Sequence, residues 1–288
     1  MDVSIILATL NEEKFLRPTL ESLVNQNTSK KFEIIIGDGE SSDKTVDIAK
    51  EYGCRVVTVE PGIIALGRQA AAKYAKGKII VSCDADTIYP PNWLDEITDP
   101  LLSCDKNTSS LKWLKAITKT LKKDPRSSPK WLKEITKSLQ NHPTRTPKWL
   151  KIIMKSLRKD VVATCGKLAP ADGNTIEKFF ADAVLHPVAS FSYLVKTPFA
   201  AAGNMAVRKD VFDRIGGFNT SLITGEDTDL MKRLMLVGRV VYRPNAVCFM
   251  SMRRVKKWGY RKYLAFHTSN FIKSHMGKTP FQSYKPVR

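Results

Sequence analysis

Ile79-Ile80-Val81-Ser82-Cys83-Asp84-Ala85-Asp86 is an apolar run that ends in two carboxylates one residue apart. A β-prone run of this length predicts a buried strand, and its C-terminal end opens where ligands sit in open α/β sheets. Two hard oxygen donors at that place suit a divalent cation, and such a cation suits a diphosphate. The competing reading is a strand end with two solvated acids, because Asp-x-Asp alone is a short pattern.

Working outward, strand and helix patterns alternate. Residues 3–9 predict a strand, Leu10-Asn11-Glu12-Glu13 a turn, and Phe15, Leu16, Leu20, Leu23 and Val24 the apolar face of a helix. A second strand over 32–36 runs into Gly37-Asp38-Gly39. Ser41-Ser42-Asp43 supplies cap chemistry for a helix through Val46, Ile48 and Ala49. Residues 55–59 predict a third strand and 67–75 a helix that Gly77 punctuates. Four such alternations predict a mostly parallel, Rossmann-like α/β sheet with right-handed crossovers. Thr9, Asp38, Asp84 and Asp86 then lie at one edge of that sheet. No Gly-x-Gly-x-x-Gly and no Gly-Lys-Ser/Thr is present, which excludes the dinucleotide fingerprint and the P-loop.

The formal charge is +19 over 288 residues, and it is unevenly placed. Between Lys106 and Lys159, 16 Lys or Arg stand against Asp124 and Glu134, so most of the basicity belongs to one segment. The five cysteines are scattered without Cys-x-x-Cys, as expected of reduced thiols rather than a zinc site. No apolar run reaches the length of a membrane span, and the early strand pattern argues against a signal peptide.

Four pieces resemble glycosyltransferase family 2 of the GT-A fold: Ala8-Thr9-Leu10-Asn11-Glu12, Gly37-Asp38-Gly39-Glu40-Ser41-Ser42-Asp43-Lys44-Thr45, Gly67-Arg68-Gln69, and Asp84-Ala85-Asp86. Each is short, but all four occur in order at the expected ends of their elements. Ala8, Leu10, Gly37 and Gln69 depart from the usual pattern, conservatively or where backbone contacts serve. The resemblance implies a nucleoside-diphosphate sugar as donor and Mn2+ or Mg2+ as cofactor. Thr9, Asn11, Glu12, Asp38, Gly67, Arg68, Asp84 and Asp86 would form the nucleotide-sugar site. Asp38 would accept from a pyrimidine imide, which favours uridine. Asp84 would hold the ribose and Asp86 the metal, with Asp84 a further candidate ligand.

Downstream, 161–166 resumes the strand pattern, and 176–195 predicts a long helix interrupted at His186-Pro187. The blocks around Gly203-Asn204 and Gly225-Glu226-Asp227 also resemble the family. They imply acceptor or sugar contacts for Gly203, Asn204 and Glu226, and Asp227 as catalytic base for an inverting transfer. A last strand is expected over 239–247. Many relatives carry a metal-binding histidine just after it, whereas this chain has Cys248-Phe249-Met250-Ser251-Met252. Arg253-Arg254 resembles the pair that closes over the diphosphate in membrane-associated members, which implies Arg254 at the donor. The alternative there is a basic amphipathic surface helix, which suits a headgroup interface.

Trp93, Trp113, Trp131 and Trp149 head four versions of one amphipathic helix, the last three joined by proline-bearing turns. Such short helices are not stable alone. A tryptophan-packed bundle, a basic surface for anionic lipid and a nucleic-acid surface compete, and no recognised motif supports the last. The expected layout is 1–102 for nucleotide-sugar binding, 103–160 for inserted basic repeats, 161–250 for the acceptor half and 251–288 for a basic-aromatic tail. The expected protein is an inverting, metal-dependent glycosyltransferase, cytoplasmic and peripheral on the inner face of a membrane. Its acceptor would be lipid-linked or a glycan, and its oligomeric state is left open. A polyprenyl-phosphate sugar transferase is one alternative. A non-catalytic lipid- or nucleic-acid-binding protein on the same scaffold is the other.

Overall fold

The computed structural model describes residues 1–102, 160–194, 198 and 202–275. The chain divides into two units, Met1–Leu101 with Val161–Arg288, and Leu102–Asp160. The repeats headed by Trp113, Trp131 and Trp149 lie outside the described residues.

The elements of the first unit open with β1 (Val3–Thr9), α1 (Glu13–Val24), β2 (Phe32–Asp38), α2 (Thr45–Glu51), β3 (Arg55–Thr58), α3 (Ile64–Lys73), β4 (Ile79–Cys83), β5 (Thr87–Ile88) and α4 (Trp93–Leu102). They continue with β6 (Val161–Pro170), α5 (Thr175–Phe180), a π-helical turn (Ala181–Leu185), α6 (His186–Leu194), β7 (Asn204–Arg208) and α7 (Lys209–Arg214). The last are α8 (Glu226–Val237), β8 (Arg239–Met250), α9 (Arg253–Trp258) and α10 (Tyr260–His275).

All eight described strands form one sheet in the order β3-β2-β1-β4-β7-β6-β8-β5. The pairs β3-β2, β2-β1, β1-β4 and β6-β8 are parallel. The β4-β7, β7-β6 and β8-β5 pairs are antiparallel, so the sheet is mixed, with its parallel strands concentrated in the N-terminal half. Strand order reverses between β1 and β4, and a crevice forms at such a switch point. Register sets Thr9 opposite Asp38 and Leu7 opposite Cys83, so β1, β2 and β4 end at one edge. Antiparallel β7 sets Asn204 opposite Cys83 and delivers Gly203 to the same edge.

Alternation along the strands builds two cores. Val3, Ile5, Leu7, Ile34, Ile36 and Val81 face Leu16, Leu20 and Leu23 of α1 and Trp93, Leu94, Ile97 and Leu101 of α4. Ile6, Ile35 and Ile80 face the other way, against Ala65, Ala71 and Ala72 of α3 and Leu230, Met231 and Leu234 of α8. Each fully buried aliphatic side chain contributes about 1.5–3 kcal/mol.

Several element ends differ from the sequence expectation for visible reasons. The third helix begins at Ile64 rather than Gly67. The last strand runs to Met250, because it continues beside β6 to Pro170 and pairs with β5. The interruption before Pro187 is a π-helical turn and not a break. Proline lacks a donor and its ring crowds the carbonyl four residues back, so a wider turn accommodates it. Asn174 and Glu177 form a reciprocal capping box at the start of α5.

α3 sits against β2 with backbones in contact. A Cβ on Gly37 would lie 2.0 Å from the Gly67 carbonyl oxygen, and one on Gly67 would lie 2.9 Å from the Gly37 carbonyl oxygen. Neither backbone can yield without moving a whole element. Gly37→Ala is therefore expected to lower stability by about 1–3 kcal/mol, measured by urea unfolding. An unchanged midpoint would contradict this contact.

Candidate active site

The loops after β1 and β2 are zipped together by their own polar side chains. Thr9 donates its hydroxyl to Asp38 at 2.7 Å, and the Ser41 hydroxyl and amide donate to Asp38 at 2.6 and 2.8 Å. Asn11 holds a left-handed φ of 55°, which asparagine tolerates better than most residues. From there its side-chain oxygen accepts from the Ser42 amide, and its own amide donates to the Ser41 hydroxyl. Glu12 and Glu13 amides donate to Thr45 and Asp43. Ser41 and Ser42 therefore serve the neighbouring loop, and only Asp43 turns toward the start of α2 through the Thr45 amide.

At the end of β4, the Tyr89 hydroxyl accepts from the Asp84 amide and donates to the Gly203 carbonyl, both at 2.9 Å. This buried phenol fixes the first carboxylate against the start of β7. A Cβ on Gly203 would lie 2.2 Å from Asp84 Oδ2, so the absence of a side chain makes room for the carboxylate.

Arg68 projects from α3 into this edge and is 4% exposed. It donates through Nη1 to Glu226 at 2.6 Å and through Nη2 to Asp84. One guanidinium thus joins the end of β4 to the start of α8. Burial works against its charge, and Asp84, Glu226 and Asp227 outweigh burial. Its Nε is buried without a hydrogen-bond partner, so the group is turned fully toward its carboxylates. Asp227 accepts from the Ala202 amide at 3.3 Å and from the Thr228 amide at 2.6 Å. Burial raises the Asp227 pKa above the usual aspartate range, opposed by the Thr228 amide and Arg68. Burial and the neighbouring Asp227 likewise raise Glu226, against Arg68.

Arg253, the first residue of α9, reaches Glu12 and Asp86. Its Nη1 and Nη2 each lie 2.7 Å from a Glu12 oxygen, and its Nε lies 2.9 Å from Asp86 Oδ2. Burial pushes Asp86 up to about 6, Arg253 opposes it, and Asp84 and Glu12 add to it.

Glu12, Asp84, Asp86, Glu226 and Asp227 form a continuous set with Arg68, Arg253 and Arg254. Five carboxylates against three guanidiniums leave a formal excess of two negative charges. Such a set fits a divalent cation with hard oxygen ligands. Among the described residues, no group of three or more His, Cys, Asp or Glu converges tightly enough to hold a metal by itself. Further oxygens would come from a diphosphate and water.

The structure brings Arg68, Asp84, Glu226 and Asp227 together, and joins Glu12 to Asp86 through Arg253. Four of the expected ligand-contact residues have partners within the chain. Asn204 is fully buried: its amide donates to the Lys167 and Ala246 carbonyls, and its oxygen accepts from the Trp93 indole at 2.8 Å. It staples β7 to β6, β8 and α4. Gly67 is a packing residue of α3 against β2. Thr9 and Asn11 take part in the loop zipper. Tyr89 and Arg253 hold the carboxylates of this edge, and sequence reasoning did not single them out. Nothing in the sequence marks Tyr89. The Arg253-Arg254 pair marks the place but not which arginine reaches the carboxylates.

Residues 4–146 match the model of glycosyl transferase family 2, and residues 184–258 match that of the N-terminal domain of galactosyltransferase. A dolichyl-phosphate hexose transferase from Haloferax volcanii is 31% identical over 102 residues, which are 34% of this chain and 44% of that protein. A poly(ribitol-phosphate) beta-glucosyltransferase from Bacillus spizizenii is 36% identical over 94 residues, which are 30% of this chain and 15% of that protein. The matched stretches thus span less than half of either relative. A mannosyltransferase from Pyrobaculum calidifontis, solved in complex with GDP-Man and Mn2+, superposes with a TM-score of 0.58 at 18% identity. That likeness covers 99% of this chain and 65% of the other. Staphylococcus aureus TarS 1-349 in complex with UDP-GlcNAc gives 0.54 at 16% identity, covering 97% of this chain and 74% of that one. The chain belongs to glycosyl transferase family 2 and has the GT-A fold.

Proposed function

We propose that the chain transfers a sugar, with inversion, from a nucleoside-diphosphate sugar to a lipid-linked or glycan acceptor at a membrane surface. The observation that carries this reading is the Arg68 bridge from Asp84 to Glu226, with Asp227 beside it. On this reading Asp84 serves the donor, Glu226 the acceptor and Asp227 the proton transfer.

Each residue has a task. Asp84, held by Tyr89 and Gly203, hydrogen-bonds the ribose. Asp38 uses three of its roughly four acceptor positions on Thr9 and Ser41. The remaining position, on Oδ2, matches one imide N–H, which favours uridine over guanosine. Asp86 is the first ligand of Mn2+ or Mg2+, with Asp84 next to it. Bound there, that cation would offset the charge that develops on the departing nucleoside diphosphate. Asp227 removes the proton from the acceptor hydroxyl as its oxygen attacks opposite the diphosphate. Arg254, within electrostatic range of Asp86, approaches the diphosphate side.

The membrane surface is supported by the basic-aromatic α10, which exposes Tyr260, Leu264 and Ile272 beside Arg261 and Lys262. The strongly basic 106–159 segment adds attraction for anionic lipid. Among the described residues, no helix is long and apolar enough to cross a membrane. The cytoplasmic face of a membrane is the location that fits this reading. A phosphate acceptor is a second reading, favoured by the dolichyl-phosphate hexose transferase at 31% identity. An anionic acceptor needs no base.

A donor screen tests the reading. Nucleotide release is expected from a uridine-diphosphate sugar, more slowly from guanosine donors, and only with Mn2+ or Mg2+ present. No release from any donor with either ion would sink it.

A further inference from the structure

We propose that Arg253 is the place-holder cation of the metal subsite: it neutralises Asp86 and Glu12 while no metal is bound, and a divalent cation must displace it from Asp86. This inference rests on the donor-site reading above.

Every nitrogen of the Arg253 guanidinium is committed to these two carboxylates. Nη1 and Nη2 form a bidentate pair with Glu12 at 2.7 Å each, and Nε reaches Asp86 Oδ2 at 2.9 Å. The guanidinium carbon also lies 4.7 Å from the centroid of the Phe15 ring, a cation–π contact. The three charged side chains are only 12–19% exposed. Without a counter-charge, Glu12 and Asp86 would be two repelling acids in a poorly solvated pocket, an expensive arrangement. Arg253 removes that cost in the empty site.

The same geometry ties the C-terminal helices to the site. Arg253 opens α9, and the neighbouring Ser251 amide donates to the Asp86 carbonyl at 3.1 Å. A salt bridge from Lys256 to Asp172 holds the next turn. Asp86 cannot give its full charge to Arg253 and to a divalent cation at once. Metal binding and Arg253 docking are therefore negatively coupled, and the coupling is reciprocal. Docked Arg253 weakens metal affinity, and bound metal loosens the start of α9. In this proposal, metal binding releases the start of α9 from Asp86.

Mn2+ binding at saturating UDP, which supplies the diphosphate oxygens, followed by electron paramagnetic resonance, reads the competition directly. Arg253→Gln keeps hydrogen-bonding capacity but removes the charge. It is expected to bind Mn2+ about tenfold more tightly than the wild type, within the range usual for coupled sites. Arg253→Lys is expected to fall between the two, because an ammonium cannot span both carboxylates as the planar fork does. Equal or weaker Mn2+ binding by the variants would overturn the proposal and make Arg253 a support for Asp86 instead. If Arg253→Gln fails to fold, Arg253→Lys alone decides, and no gain in affinity overturns the proposal. In the wild type saturated with UDP, added Mn2+ should speed amide hydrogen exchange across 253–258; unchanged exchange at saturating metal would count against the coupling. Absence of Mn2+ binding in both proteins also overturns it, while nucleotide release in the donor screen still judges the transferase reading separately.

Discussion

Arg68→Ala is expected to cost about 3–5 kcal/mol of folding stability, the range seen when one partner of a buried ion pair is removed. The guanidinium is buried between Asp84 and Glu226, 158 positions apart from the latter in sequence. Glu226 is itself buried, and Asp227 stands next to it. Removing Arg68 leaves these carboxylates without their counter-charge at the sheet edge where β4, α3 and α8 meet. Asp84 is more exposed, at 39% of its side chain, so water offsets more of its share. Most of the loss therefore resides in the Glu226 contact. Total stabilities of about 5–15 kcal/mol make this a large fraction. Adding Glu226→Gln to Arg68→Ala should recover part of the loss, because the double variant buries one charge fewer. Denaturant unfolding of the four proteins in that cycle measures the coupling. Independent, additive losses would show that the guanidinium does not join the two halves of the crevice.

Asp227→Asn is expected to slow transfer to a hydroxyl acceptor by about 10²–10⁴-fold, the usual contribution of a general base. Nucleotide binding should be unchanged if, as proposed, Asp227 serves the acceptor and not the donor. The wild-type rate should also fall as pH drops. Burial raises the Asp227 pKa, so the ionised base is lost at a pH above the ordinary aspartate range. The asparagine variant should lack that limb. Single-turnover rates across pH test both statements. A small loss with a phosphate acceptor, against a large one with a hydroxyl acceptor, would assign the chain to the anionic-acceptor class. A small loss with every acceptor would remove Asp227 from the chemistry.

The N-terminal fold was legible because its determinants are local. Largely apolar runs over β1, β2 and β4 are what strands buried on two faces require, and Asp38 and Asp84 mark the ends of β2 and β4. Arg68, Asp84, Glu226 and Asp227 could each be singled out from short patterns. Their joining by one guanidinium could not, since it depends on antiparallel β7 and on the placement of α8. Residues that build the site were harder to separate from residues that touch a ligand. Asn204 looks the same in sequence whether it binds a sugar or, as here, saturates three buried groups of its own chain. Thr9 and Asn11 have polar tips that suit a ligand, and the neighbouring loop takes them first. Arg253 pairs with Glu12 across 241 positions, and no local periodicity reports a contact of that range.

The most direct test of the donor crevice is calorimetric binding of UDP to the wild type and to Asp86→Ala, with and without Mn2+. The geometry predicts Mn2+-dependent UDP binding in the wild type, and loss of that dependence when the Asp86 carboxylate is removed. Mn2+-dependent UDP binding of equal strength in both proteins, or no UDP binding in either, would contradict it.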